Sequence, residues 1–184
     1  RTGASTAMTT NMHCVVLRLI EALGTPEQKA TIYADVVERG AMVGSWGSEP
    51  DVRPSTGARL TTVSPVDGGF VVNGRKHFGT MARAASRYMV HCTMTPLDEK
   101  WGQDGYQLVL VPDGAKGLTI SGEWDPMGMR ATVSPASRLR APRASIPATQ
   151  RRSTLIWARF RRLCSPWPGT SAARIQRARS PPSG

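Results

Sequence analysis

Three observations predict an α+β fold for residues 1–135, a helical pair followed by an antiparallel, barrel-like β module. Apolar residues recur at three- and four-residue spacing in two successive windows before Gly44. Beyond Gly44 the period changes to two, with turn residues between the apolar runs. Strand and helix patterns do not alternate as a parallel sheet would require. Composition marks where this pattern stops. Of the 24 Lys+Arg residues, 11 are arginines in 136–184, a stretch without Lys, Asp or Glu, and the other 13 balance all 13 Asp+Glu within 1–135. The formal net charge of +11 therefore resides in the last 49 residues.

The first helix is expected over Met8–Leu23, where Met8, Met12, Val15, Val16, Leu19, Ile20 and Leu23 share one face and Gly24 ends the pattern. Thr25-Pro26-Glu27-Gln28 then opens a second helix, with Thr25 as N-cap, Pro26 in the first turn and Gln28 completing a capping box. Ala30, Ile32, Tyr33, Val36 and Val37 form its apolar stripe, and Gly40 closes it. Residues 60–64 alternate as a strand, Asp67-Gly68-Gly69 supplies a hairpin turn, Phe70–Val72 returns, and Asn73-Gly74 makes a further tight turn. Strands follow at Tyr88–Thr93, Tyr106–Val111 and Leu118–Ser121. The expected division is a helical segment over 1–44, a β module over 45–135, and an Arg/Pro/Ser/Ala-rich tail over 136–184.

Charge and cysteine usage narrow the function classes. Clustered Arg raises a nucleic-acid reading, because basic side chains release counterions from phosphates. The tail counts against it: prolines interrupt it, and Arg alternates with Ala and Ser without helical period or any Lys. Translation of GC-rich DNA out of frame accounts for such a composition, and the expectation is a disordered or frame-shifted tail. Cys14, Cys92 and Cys164 are scattered singly, which indicates neither a disulfide framework nor a zinc site and favours a cytoplasmic setting. His13 and His91 adjoin Cys14 and Cys92, but neighbouring residues diverge in direction, so structural roles are expected. No apolar stretch reaches the ~20 residues of a membrane helix.

Four motifs stand in one order: the capped Gly24-Thr25-Pro26-Glu27-Gln28-Lys29; Ser48-Glu49-Pro50; Asp67-Gly68-Gly69-Phe70-Val71-Val72-Asn73-Gly74-Arg75-Lys76; and Met127-Gly128-Met129-Arg130. From about Ala4 to Ser134 the chain resembles the acyl-CoA dehydrogenase family. The resemblance implies a β module of the middle-domain type, FAD as cofactor, an acyl-CoA substrate, an electron acceptor, and a homo-oligomeric parent enzyme. By position, Ser48 would supply a hydroxyl to the flavin pyrimidine edge, with Trp46 and Gly47 giving backbone contacts. Ser55 would replace the family serine at the phosphates, since Pro54 occupies its place, and Arg53 would face either a pyrophosphate or water. Phe78 would pack on the flavin face where the family more often has tryptophan, Thr80 would approach N5, and Lys76 matches the family lysine between them and the turn. Strand alternation would send His77 to the opposite face.

The resemblance also implies an absence. The family's α-proton base is a glutamate in a C-terminal helical domain, so no carboxylate of residues 1–135 is assigned as catalytic, Glu49 belonging to the flavin motif. A truncated, inactive and poorly soluble product, without a single sharp unfolding transition, is the expectation. A flavin-dependent monooxygenase on the same scaffold is the alternative, and a nucleic-acid-binding protein using the Arg tail is the reading from another class.

Overall fold

The computed structural model describes residues 3–50, 59–66, 69–97, 105–122, 124–140 and 155–156. Helices α1 (Ala4–Leu23) and α2 (Pro26–Arg39) form the predicted pair. The Thr25 hydroxyl accepts the Gln28 N–H at 3.3 Å and the Gln28 side chain accepts the Thr25 N–H at 2.9 Å, which satisfies two helix-start donors reciprocally. Gly40 ends α2 with φ 62°, a left-handed position where a side chain would be strained. Val37, expected on the apolar stripe, is 83% exposed; α2 instead buries Gln28 and Ile32.

Eight strands follow among the described residues: β1 (Val43–Trp46), β2 (Thr62–Val66), β3 (Gly69–Lys76), β4 (Arg87–Met94), β5 (Tyr106–Pro112), β6 (Leu118–Ser121), β7 (Ala136–Leu139) and β8 (Leu155–Ile156). They form one sheet in the order β6-β7-β3-β2-β4-β5-β8, with β1 also on β4. The expected antiparallel character holds for most pairs, but β1 and β2 each run parallel to β4. The chain goes up β2, down β3 and up β4, and β4 lies on the free edge of β2 rather than beside β3. Two upward strands thus become neighbours without any crossover helix, so the usual sequence sign of parallel pairing is missing.

Two further expectations change. Asn73-Gly74 is no turn: β3 runs through it, pairing Thr62 with Asn73 and Gly74 with Leu139. A Cβ on Gly74 would lie 2.7 Å from Thr61 Cα, so glycine serves a close backbone approach. The boundary placed after residue 135 also moves, because β7 pairs with both β3 and β6 and buries Leu139. The Arg-rich region further contributes β8, on β5.

Alternation along β4 and β5 explains the two cores. Tyr88, Val90, Cys92, Val109 and Val111 point into the curl of the sheet, where they meet Trp46, Val63, Val72 and Leu139. Met89, Leu108 and Leu110 point the other way and pack with Val43 against Val16, Ile20 and Ile32 of the helices. Each fully buried aliphatic side chain of this kind contributes about 1.5–3 kcal/mol of transfer free energy. Polar ties fix the helices to the sheet: Arg87 meets Asp35 at 2.5 Å, and His13 Nδ1 accepts the Val43 N–H at 3.1 Å. Among the described residues no helix is long and apolar enough to cross a membrane.

Candidate functional site at the fork of the sheet

One edge of β4 is served by two strands in succession. β1 pairs with Arg87–Val90 and β2 with Thr93–Met94, so His91 and Cys92 face a gap where the chain leaves the sheet after Trp46 and returns at Leu60. A gap in a ladder strands backbone donors and acceptors, which must find partners when buried. Here they find an ion pair. Lys76 Nζ lies 2.6 Å from Glu49 Oε1, with side-chain exposures of 0% and 1%. The same ammonium donates to the His91 carbonyl at 2.6 Å. The Glu49 carboxylate accepts the N–H groups of Leu60 at 2.8 Å and Thr61 at 3.0 Å. Burial alone would raise the Glu49 pKa, but Lys76, Thr61 and Leu60 outweigh it and hold the carboxyl below the usual range. Burial lowers the Lys76 pKa, against the attraction of Glu49.

Around this pair the exit strand is anchored inward. The Ser48 carbonyl accepts the His77 N–H at 2.9 Å, and the Gly47 carbonyl accepts from Arg59 Nη1 at 3.4 Å. His91 hydrogen-bonds the Tyr106 hydroxyl through Nδ1 and lies 3.5 Å from Ser45 Oγ through Nε2. Burial, then the charges of Lys76 and Arg59, push its pKa down to about 4, so the imidazole is neutral at physiological pH. Cys92, buried beside it in the core, is pushed up to about 12 by burial and is no nucleophile.

Two loops close the other side. Among the described residues four non-glycines hold left-handed backbone angles, Phe78 (φ 55°), Met81 (62°), Met129 (61°) and Val133 (43°), and they fall in just these loops. The loops bond one another: Gly79 N–H to the Pro135 carbonyl at 3.1 Å, Met81 N–H to Thr132 at 3.0 Å, and Ala82 N–H to Val133 at 3.2 Å. The Ser134 hydroxyl lies 3.1 Å from Thr80 Oγ1 and 2.8 Å from Thr132 Oγ1. Concentrated backbone strain held by surrounding structure is a mark of a functional site. The Met127–Arg130 motif supplies the second loop, where the Trp124 indole N–H donates to the Met129 carbonyl at 3.2 Å and Arg130 pairs with Asp125 at 3.0 Å.

The fork brings together most of the residues singled out in the sequence. Ser48 is exposed, and Phe78, 55% exposed, stands edge-on to Trp124 with centroids 6.1 Å apart. Trp46 is fully buried, backbone included, and stacks on Tyr88 at 3.9 Å, so the backbone contact expected of it is not exposed. Its Nε1 has no hydrogen-bond partner among the described residues and abuts Gly79, where an added Cβ would come within 2.9 Å. Thr80 is nearly buried, with its hydroxyl turned to Ser134. Ser55, with Arg53 and Pro54, lies outside the described residues. His77 departs from the expected opposite face: β3 ends at Lys76, the chain turns at Phe78, and the His77 and Phe78 rings touch at 4.1 Å. Sequence reasoning missed the Glu49–Lys76 pair and the Tyr106–His91 contact, whose partners lie 27 and 15 residues apart. Lys76 falls on the same period-two face of β3 as the buried Phe70 and Val72, and that was the available signal. A cleft of about 490 Å³ beside Trp124 is lined by Arg83, Asp125, Arg130, Val133 and Pro135.

Residues 44–140 match the family model described as acyl-CoA dehydrogenase, middle domain. The chain belongs to the acyl-CoA dehydrogenase family. Among curated relatives it is 26% identical over 122 residues to a dibenzothiophene monooxygenase of Rhodococcus erythropolis, covering 66% of this chain and 28% of that one. It is 32% identical over 139 residues to the putative acyl-CoA dehydrogenase YdbM of Bacillus subtilis (strain 168), covering 73% and 34%. FMN-bound TdsC from Paenibacillus sp. A11-2 superposes with a TM-score of 0.69 at 25% identity, over 83% of this chain and 36% of that one. An acyl-CoA dehydrogenase from Geobacillus kaustophilus superposes with a TM-score of 0.64 at 23% identity, over 76% and 35%, and shares the fold. The chain spans about a third of the length of the curated relatives it matches. Members of this flavoprotein family are oxidoreductases, and both dehydrogenases and monooxygenases stand among the relatives.

Proposed function

We propose that the fork holds the ring end of a flavin, and that this chain is the flavin-facing β half of an FAD-dependent oxidoreductase that introduces an α,β double bond into an acyl-CoA thioester. The observation that carries the reading is the pairing of an exposed Ser48 with an exposed Phe78, presented from two neighbouring segments that are themselves tightly anchored. The residues suit the group. The Ser48 hydroxyl and the Gly47 backbone offer donors and acceptors for a pyrimidine edge, and the Phe78 ring can exclude water from one ring face. The Thr132 hydroxyl donates to the Met129 carbonyl, so Ser134 donates to Thr132 and Thr80 donates to Ser134, which leaves Thr80 Oγ1 with a lone pair for a donor on the ligand. The flavin, when bound, supplies the redox chemistry. Glu49 is locked by three donors, so abstraction of a substrate α-proton calls for a glutamate outside the described residues, and the chain alone is expected not to turn over. Oligomeric partners and an electron acceptor belong to the same reading, as does a cytoplasmic setting, where the buried thiol of Cys92 stays reduced.

A second reading, a flavin-dependent monooxygenase, is supported by the dibenzothiophene monooxygenase relatives and by likeness to FMN-bound TdsC. Titration of the full chain with FAD and with FMN, followed by flavin fluorescence, tests both. Saturable binding that weakens about tenfold in Phe78→Ala is expected, roughly the 1.4 kcal/mol of one aromatic contact. Preference for FMN would favour the monooxygenase, and no saturable binding of either flavin would defeat the proposal.

A further inference from the structure

We infer that Glu49 and Lys76 are positioning residues, a polar clamp that holds the exit strand of the fork in the geometry that presents Ser48; the inference rests on the proposed flavin site. The clamp is defined by what each end holds. Lys76 completes a β4 carbonyl that neither β1 nor β2 reaches, that of His91. Glu49 completes two amides ahead of the first residue of β2, those of Leu60 and Thr61. The outgoing chain at residue 49 and the returning chain at residues 60–61 are thereby pinned to one point.

The clamp also sets direction. Lys76 ends β3 and His77 follows it, and they hold consecutive residues of the exit segment, Glu49 through its carboxylate and Ser48 through its carbonyl. With the Ser48 carbonyl drawn inward, its side chain is left exposed. The polarity of the clamp is fixed, because a carboxylate is needed where two N–H groups converge and an ammonium where a carbonyl waits. An exchanged pair would preserve the charge attraction and still fail, which separates a positioning clamp from a mere ion pair.

The test uses the full chain with Glu49→Gln, Lys76→Arg and the exchanged double variant Glu49→Lys/Lys76→Glu. Hydrogen exchange of peptides spanning residues 44–64 is compared with peptides from α1 and α2, alongside FAD and FMN titration. In Glu49→Gln, exchange in 44–64 should rise at least tenfold with the helical peptides unchanged, and flavin affinity should fall at least tenfold; Lys76→Arg, which keeps a donor, should lie between it and the parent. The exchanged pair should behave no better than Glu49→Gln. Should Glu49→Gln not fold, the same comparison in Lys76→Arg decides. Unchanged exchange in 44–64, a uniform rise across all peptides, or full rescue by the exchanged pair would overturn the clamp. If the parent binds neither flavin while exchange responds as expected, the flavin reading falls and the clamp stands.

Discussion

At the residue scale the fork depends on two buried charges and one neutral ring. Lys76→Met leaves Glu49 as an uncompensated buried carboxylate and should cost about 3–5 kcal/mol in urea unfolding, whereas Glu49→Leu/Lys76→Met should recover part of that loss. A double variant as unstable as the single one would show that the backbone bonds, not the charge, dominate. His91 is held neutral with a pKa of about 4, below its ordinary 6.5. In the unfolded chain it takes up a proton first, so its contribution is present above pH 6.5 and is lost as the pH falls from 6.5 toward 4, each unit of pKa difference being worth about 1.4 kcal/mol. Urea midpoints at pH 7, 5.5 and 4.5 should therefore fall more steeply in the parent than in His91→Gln. Parallel slopes would remove His91 from the account. None of this was legible in the sequence, where Glu49 read as part of a flavin motif and His91 as one of two His-Cys neighbours, because the groups that shift them come from other strands.

At the element scale local signals fared well where the element is self-contained. The capping box of α2 and the left-handed Gly40 were legible because every partner lies within a few residues. β6 was expected and found at Leu118–Ser121. Asn73-Gly74 failed for the opposite reason: the dipeptide favours a turn locally, but β3 continues because Thr61 passes against Gly74 and β7 pairs with it. Gly74→Ala places a methyl 2.4 Å from Thr61 Oγ1 and should destabilise by about 1–3 kcal/mol, read from a thermal melt. A neutral substitution would mean that the Thr61 segment yields. Val37 shows the limit of periodicity in a helix, since a stripe drawn on one face says nothing about how far the opposing sheet extends.

At the scale of the whole molecule, the sheet runs past the compositional break. A chain ending at Arg140 should retain the far-UV strand signal and a cooperative urea transition, whereas one ending at Pro135 loses β7, uncovers the edge of β3 and removes buried Leu139. Equal transitions for the two would make β7 dispensable. By itself the sequence determined the helical pair, the switch to β structure and the family, because caps, apolar periods and ordered motifs act over short stretches of chain. Only the tertiary structure decided that β1 and β2 share one edge of β4, that Glu49 and Lys76 fill the gap between them, and that the Ser48 carbonyl meets the His77 N–H there. Those facts depend on which backbone groups are left without partners once the strands have assembled, a quantity that exists only in the assembled sheet.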